Sequence, residues 1–157
     1  MINNDILRSI RYMLDLSDGR VLEIAQLSDP TLSLEKEALL AFMKKEDEVG
    51  YVMCSDQFLG HFLDGLVVHF RGRDESKPAR PIESRISNNI VLKKLRVAFE
   101  LKDVDMHEVF ESAGFPVNKP ELTAVFRQPG HKHYRACGDQ MLRNFLKGLT
   151  LRLRGDG

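Results

Sequence analysis

Apolar side chains recur along the chain with the spacing of amphipathic helices, most clearly in residues 54–72. There the large apolar residues fall at i, i+1, i+4, i+5, i+8 and i+12, which places them on one face of a helix. They are Phe58, Leu59, Phe62, Leu63, Leu66 and Phe70. Ser55 is a typical N-cap, and Gly72 directly after Arg71 is typical of a helix C-terminus. The pattern predicts a helix over most of this stretch.

The same stretch occurs again 83 residues later. Residues 54–72 read CSDQFLGHFLDGLVVHFRG and residues 137–155 read CGDQMLRNFLKGLTLRLRG, with ten identities in nineteen positions. The chain is therefore a tandem duplication. One shared residue is a mid-helix glycine, at Gly65 and Gly148. Because such a glycine costs about 1 kcal/mol relative to alanine, its recurrence predicts a close helix crossing, with inherited tolerance as the alternative.

Three shorter helices are predicted before this one in each copy. The first helix opens at Asn3-Asn4 and Asn88-Asn89, and we interpret each asparagine pair as a cap. The second helix covers residues 20–26 and 106–111. The third begins near Ser33 in copy one and at a capping box, residues 118–121, in copy two. The sequence thus predicts an all-α fold of two tandem homologous repeats, about four helices each, packed with approximate two-fold pseudo-symmetry.

The predicted division is a first repeat at 1–72, a linker at 73–87 and a second repeat at 88–157. The linker reads RDESKPARPIESRIS and contains Pro78 and Pro81 without helical periodicity. Such a sequence is typical of an exposed, semi-extended connection.

Arg11 and Arg96 are shared between the copies and border the apolar face of the first helix. Since an unpaired buried charge is costly, each is expected to meet a carboxylate or helix-end carbonyls. The aspartates that open the last helix, Asp56 and Asp139, are the predicted partners: Arg11 with Asp56 and Arg96 with Asp139, or each with its counterpart in the other repeat. A ligand contact is the less favoured alternative.

The chain has no net charge, but its charge is unevenly divided. Residues 1–72 hold 7 Lys and Arg against 12 Asp and Glu, a net charge of −5. Residues 88–157 hold 12 against 8, a net charge of +4. The two halves could attract each other, or the basic half could meet an anionic partner. No apolar run is long enough for a membrane span and no signal peptide opens the chain, so we expect a cytoplasmic protein with reduced cysteines.

The copies differ most between the third and fourth helices. Residues 44–51 read KKEDEVGY, and residues 127–134 read RQPGHKHY. If the protein has one binding surface, we expect it on the basic copy of this loop and the basic face of the last helix. The residues predicted for partner binding are His131, Lys132, His133, Tyr134, Arg135, Arg143 and Lys147. Drift of a tolerant loop is the alternative interpretation.

The sequence gives little support for a catalytic or metal-binding site. His131, His133 and Cys137 have the spacing HxHxxxC, which is not a common zinc pattern. A position before a helix lowers a thiol pKa, yet Cys54 occupies the same place without the histidines, which favours a packing role. His61 is interpreted as a surface or groove residue. The sequence predicts no catalytic residue, no metal site and no cofactor.

The duplication, the Asn-Asn openings, KKEDEVGY and PGHKHYRACGDQMLRNFLKGL together resemble the bacterial YehS-like family. The resemblance covers essentially the whole chain. It implies a cytoplasmic bacterial protein with two tandem copies of one small helical domain of unknown function. It brings no activity, substrate or catalytic residue to this chain.

Two functions are consistent with these features. The first is a non-catalytic adaptor or regulatory protein that binds a macromolecule through the groove between its halves. The alternative is a nucleic-acid-associated module that uses the basic second repeat. An enzyme is the least favoured class, although it is not excluded. The expected partner is an anionic macromolecule rather than a membrane, and a homodimer is left open.

Overall fold

The computed structural model describes residues 1–73, 75–76 and 83–155. Over these residues the chain forms eight α-helices and no β-strand. The helices are α1 Asn3–Met13, α2 Asp18–Ser28, α3 Lys36–Phe42, α4 Asp56–Arg71, α5 Asn88–Ala98, α6 Asp103–Ser112, α7 Lys119–Val125 and α8 Asp139–Arg154. The predicted all-α fold with four helices per repeat is confirmed.

The chain divides into two compact units, Met1–Ile86 and Ser87–Gly157. Four helices belong to each. The predicted two-fold pseudo-symmetry and the groove between the halves concern the relative placement of the units and stay predictions. So does the linker, whose Pro78 and Pro81 lie outside the described residues.

The core of the first unit forms around α4. Leu59, Phe62 and Leu66 of this helix are fully buried, and α2 packs against them with Ile24. Burying one such side chain contributes about 1.5–3 kcal/mol relative to its exposure. The apolar stripe of α4 therefore organises the unit, as its periodicity predicts.

The second unit repeats this arrangement around α8. Phe145 of α8 and Phe110 of α6 are fully buried, with ring centroids 5.5 Å apart. The tilted rings gain stabilisation beyond their buried area. Each last helix is thus seated on the second helix of its own unit.

Close crossings occur at the two mid-helix glycines. A Cβ atom on Gly65 would lie 1.9 Å from the carbonyl oxygen of Ile24, and one on Gly148 would lie 2.0 Å from that of Val109. No side chain fits at either position without a backbone shift. The prediction of a close crossing is confirmed in both units.

Several predicted helix ends are also confirmed. Ser55 Oγ accepts from Phe58 N at 3.1 Å, and Asn118 and Glu121 form a capping box. Gly72 ends α4 with φ of +77°, where glycine avoids the strain of a side chain. The predicted start of α3 near Ser33 was too early, because this helix begins at Lys36.

No helix in the described part of the chain is long and apolar enough to cross a membrane.

Candidate functional site

Asn4 connects the first helix of the first unit to the loop between α3 and α4. Its side-chain amide donates to the carbonyl oxygens of Phe42 at 3.0 Å and Val52 at 2.8 Å. Its side-chain oxygen accepts from Cys54 N at 2.8 Å. Asn4 is fully buried, so these backbone groups have little access to water. One side chain therefore sets the course of this loop.

Asn89 does the same in the second unit. Its amide donates to the carbonyl oxygens of Val125 and Arg135, both at 2.9 Å, and its oxygen accepts from Cys137 N at 2.8 Å. The equivalent loop consequently follows the same path between α7 and α8. Arg135 N also bonds to Ala124 O at 3.1 Å, as Val52 N bonds to Ala41 O in the first unit.

The interpretation of the asparagine pairs as helix caps was wrong. The residues before the helices take the cap positions: Ile2 caps α1 without a side-chain hydrogen bond, and Ser87 Oγ accepts from Ile90 N at 3.2 Å. The asparagines lie inside the first turn, where their side chains face the loop instead of the helix end. A helix cap and a contact to this loop would both appear in the sequence as the same pair of asparagines, so the sequence does not distinguish them.

The predicted pairing of Arg11 with Asp56 was also wrong. Asp56 accepts from Asn3 at 2.6 Å and lies at the start of α1. Arg11 is in the last turn of that helix, eight residues further on, which is about 12 Å along its axis. Its Nε instead lies 3.0 Å from Asp18 at the start of α2.

The same correction applies in the second unit. Arg96 Nη2 lies 2.6 Å from Asp103, and Arg96 Nε donates to Leu101 O at 3.0 Å. Asp139, the predicted partner, accepts from Asn88 at 2.9 Å. Asp18 and Asp103 are shared between the copies at the same spacing as the two arginines, and that signal could have identified them. The alternative pairing across the repeats stays a prediction.

An open groove of about 740 Å³ lies in the second unit between α7 and the loop after it. We call it the basic groove. Four cationic side chains, one histidine and one tyrosine dominate its lining. They are Lys119, Arg127, Lys132, Arg135, His133 and Tyr134.

The groove unites four of the seven residues predicted for partner binding, namely Lys132, His133, Tyr134 and Arg135. His131 lies beside it: its Nδ1 accepts from His133 N at 3.0 Å, and its Nε2 is 3.2 Å from Arg127 Nη1. Arg143 and Lys147 are exposed on α8 and do not line the groove.

The groove carries an excess of positive charge. Among the described residues, Arg127, Lys132 and Arg135 have no carboxylate within ion-pair distance. Glu121 is the one carboxylate in the groove lining, and its Oε1 accepts from Asn118 N at 3.3 Å in the capping box. An anionic group entering the groove would therefore meet cations without local partners.

The equivalent surface of the first unit has different chemistry. At the positions of Arg127, Lys132, His133 and Arg135 stand Lys44, Val49, Gly50 and Val52. Val49 and Val52 are exposed by 92% and 51%, and Met53 by 51%. Lys44 Nζ donates to Val49 O at 2.7 Å, so its ammonium group is bound within the loop.

Three consecutive carboxylates precede these apolar residues: Glu46, Asp47 and Glu48, all exposed. We call residues 44–51 the acidic loop. The loop before the last helix thus follows the same backbone path in both repeats but carries opposite net charge.

The relatives of the chain match this two-unit organisation. The family described as "Protein of unknown function (DUF1456)" matches twice, over residues 3–72 and 88–155. The chain belongs to this family. It is also 47% identical over 152 residues to "Uncharacterized protein YehS" of Escherichia coli (strain K12), covering 97% of this chain and 96% of that protein. No solved structure matches the chain.

The cysteine of each DUF1456 repeat is buried, and burial disfavours its thiolate form. Burial raises the pKa of the Cys54 thiol to about 12 and that of Cys137 to about 11, and the carboxylates of Asp56 and Asp139 add to this. Desolvation outweighs the adjacent helix N-terminus, which by itself would lower a thiol pKa. Neither thiol is ionised near neutral pH, so neither is a ready nucleophile.

The histidine pair in the second DUF1456 repeat does not combine with the cysteine. The His131 and His133 rings are 5.6 Å apart on the exposed loop, whereas Cys137 is buried. Within the described ranges no three His, Cys, Asp or Glu residues are grouped to hold a metal ion.

His61 in the first DUF1456 repeat is buried, which corrects its interpretation as a surface or groove residue. Its Nδ1 is 3.0 Å from Ser28 Oγ, and its Nε2 is 3.9 Å from Asp29. Ser28 Oγ also lies 2.9 Å from Ala25 O and 3.0 Å from His61 O, and either carbonyl can accept its proton. Although these residue types occur in hydrolases, the hydroxyl is within hydrogen-bond distance of backbone carbonyls of both α2 and α4. The cluster connects α2 to α4, and its polar bonds compensate the burial of the imidazole.

Proposed function

We propose that this protein is a non-catalytic adaptor or regulatory protein whose basic groove binds an acidic segment of a partner protein. The observation that supports the proposal is the cluster of Arg127, Lys132 and Arg135 around one concave surface without carboxylate partners in the described residues. Clefts lined by one sign of charge concentrate and steer ligands of the opposite sign.

The expected affinity is modest and dependent on salt. Exposed ion pairs contribute about 0.2–1 kcal/mol each, so several must form together for a stable complex. Their strength decreases as the Debye length shortens, from about 10 Å at 0.1 M ionic strength. These properties suit a reversible regulatory contact.

A protein segment fits this groove better than a single strand of nucleic acid does. Sequence-tolerant binding of single strands uses several aromatic side chains on which successive bases stack. Of the described residues that line the groove, Tyr134 is the one with an aromatic ring of Phe, Tyr or Trp type. Binding of nucleic acid, the alternative function, is therefore an outcome that the experiment must distinguish.

We place this function in the cytoplasm. Support comes from Cys54 and Cys137, which are free and buried. Free thiols are retained most readily in a reducing compartment.

The test is fluorescence anisotropy of the full-length protein with three labelled probes of matched charge: a polyglutamate peptide, single-stranded RNA and duplex DNA. We expect the peptide to bind the wild-type protein. The double variant Lys132→Glu with Arg135→Glu should bind it about tenfold more weakly, which corresponds to a loss of about 1.4 kcal/mol in binding free energy. Arg143→Glu with Lys147→Glu is the matched control, because it makes the same charge change outside the groove.

The outcomes separate the functions. Tighter binding of either nucleic acid than of the peptide would establish the alternative function. Equal losses in the two reversal variants would show a diffuse charge effect without a site. If no probe binds wild type at low salt, the groove is not an anion-binding surface.

A further inference from the structure

We propose that the acidic segment recognised by the basic groove is the acidic loop of a second copy of this chain. The inference rests on the proposed function and specifies its partner. It follows from the opposite chemistry of two structurally equivalent surfaces, one on each repeat.

The acidic loop is exposed and is held by hydrogen bonds within itself. Glu46 and Asp47 are exposed and, in the described part of the chain, have no cation within ion-pair distance. The loop is held by Lys44 Nζ, which donates to Val49 O at 2.7 Å, and by Glu48 Oε1, which accepts from Lys45 N at 3.0 Å. A segment that is already ordered loses less conformational entropy on binding.

The groove has cations and apolar surface that match the exposed carboxylates and valine of the loop. Its unpaired cations can meet the carboxylates, and Tyr134 and Ala124 provide apolar surface for Val49, whose side chain is 92% exposed. An exposed apolar residue flanked by charge is typical of a contact in which apolar area gives affinity and charge gives specificity.

The equivalent surface of the first repeat cannot substitute for the groove. Lys36 and Lys44 are the cations at its groove positions, compared with four in the groove. Lys44 Nζ donates to Val49 O, and valines replace Lys132 and Arg135 beside the carboxylates of the loop itself. Two acidic loops repel each other, so recognition runs from the first repeat of one molecule to the second repeat of another.

The contact is consequently head-to-tail. Each molecule has one loop and one groove, and these are different surfaces. Such a heterologous contact closes into a ring, including a reciprocal dimer, or extends into a chain of molecules. Either form depends on protein concentration, whereas a contact within one molecule does not.

The experiment is sedimentation velocity of the full-length protein from about 5 to 500 μM, at about 50 and 500 mM NaCl. We expect association that increases with concentration at low salt and is largely lost at high salt. Two variants test the surfaces: a loop reversal, Glu46→Lys with Asp47→Lys, and a groove reversal, Lys132→Glu with Arg135→Glu. Each alone should weaken association by about tenfold or more.

Restoration of the contact is the decisive result. Combining both reversals in one chain recreates complementary charges, so association should return to within about threefold of wild type. An equimolar mixture of the two single-surface variants should also associate. The matched control is Glu83→Lys with Glu111→Lys, which makes the same charge change as the loop reversal at exposed positions on neither surface, and it should associate like wild type.

The proposal is overturned if wild type remains monomeric over the whole range, or if the combined variant stays dissociated while its circular dichroism is that of the native fold. The polyglutamate probe separates this failure from failure of the proposed function. A monomeric protein that still binds the probe through its groove has an acidic partner other than itself. If the probe does not bind either, both proposals fail.

Discussion

Single residues in this protein are constrained most where backbones approach each other. Gly65 and Gly148 face carbonyl oxygens of the second helix of their units at distances that exclude a Cβ atom. Gly19 in α2 is exposed, and nothing lies within 4 Å of the position of its Cβ. Gly65 and Gly148 are therefore required by helix packing, whereas Gly19, in the first turn of α2, is not.

Gly65→Ala and Gly148→Ala should each destabilise the protein by about 2 kcal/mol or more. Overpacking costs about 1–3 kcal/mol, and rigid backbone carbonyls cannot rotate away. Gly19→Ala is the control and should stabilise by up to about 1 kcal/mol, since alanine is the better helix former. Urea unfolding followed by circular dichroism gives all three values. A neutral Gly148→Ala would show that the crossing can adjust.

Thiol labelling tests the burial of the cysteines. With their pKa raised to about 12 and 11, Cys54 and Cys137 should react slowly with iodoacetamide at pH 8 and rapidly once the protein is unfolded. The ordinary thiol pKa is about 9, so the unfolded chain ionises first. The stability contributed by the buried neutral thiols is therefore present below about pH 9 and is lost as the pH rises toward 11–12. Fast native-state labelling at pH 8 would contradict this.

At the scale of elements, each repeat positions its variable loop by a contact from its first helix. Asn89 of α5 satisfies three backbone groups of the loop between α7 and α8, including the carbonyl of the groove residue Arg135. Stability and the proposed binding surface are thus coupled through one amide. Asn4 makes the same contacts in the repeat without the groove.

Asn89→Ala should lower the free energy of unfolding by about 2–3 kcal/mol, because it leaves backbone donors and acceptors unpaired. It should also weaken binding of the polyglutamate probe, since one wall of the groove loses its support. Asn4→Ala should destabilise at least as much but leave probe binding unchanged in the native protein. Among the residues that the structure describes, Asn144 bonds only within its own helix, and Asn144→Ala should stay within about 0.5 kcal/mol of wild type. If the Asn89→Ala and Asn4→Ala proteins bound the probe with equal affinity, the contacts of Asn89 with the loop would not be needed for binding.

At the scale of the whole molecule, two units with the same helix order have diverged in charge. The first 72 residues carry −5 and the last 70 carry +4. Folding alone does not require this difference, since both units use the same glycine crossings and asparagine contacts. The reversal of charge at the loop before the last helix is what a duplicated domain would show if its copies had taken complementary binding roles.

The predicted linker can be tested by limited proteolysis. Trypsin at low concentration should cut first after Arg73 or Arg85, because exposed connections between domains are cleaved before helices and the other basic residues of the linker, Lys77 and Arg80, each precede a proline. Mass spectrometry should then identify two resistant fragments, one for each DUF1456 repeat. First cuts after Arg96 or Arg152, within helices, would contradict the division at residues 73–87.

The sequence by itself determined the duplication, the helix count, the caps at Ser55 and Asn118, and the two glycine crossings. These features depend on interactions within a few residues, or on a repeated signal that marks one position in both copies. Only the tertiary structure decided that Asn89 holds Arg135, 46 residues away, and which basic side chains share a groove. Such pairings depend on the angle and register at which helices pack, and a polar residue at the edge of a helix has several partners within reach until that packing is known.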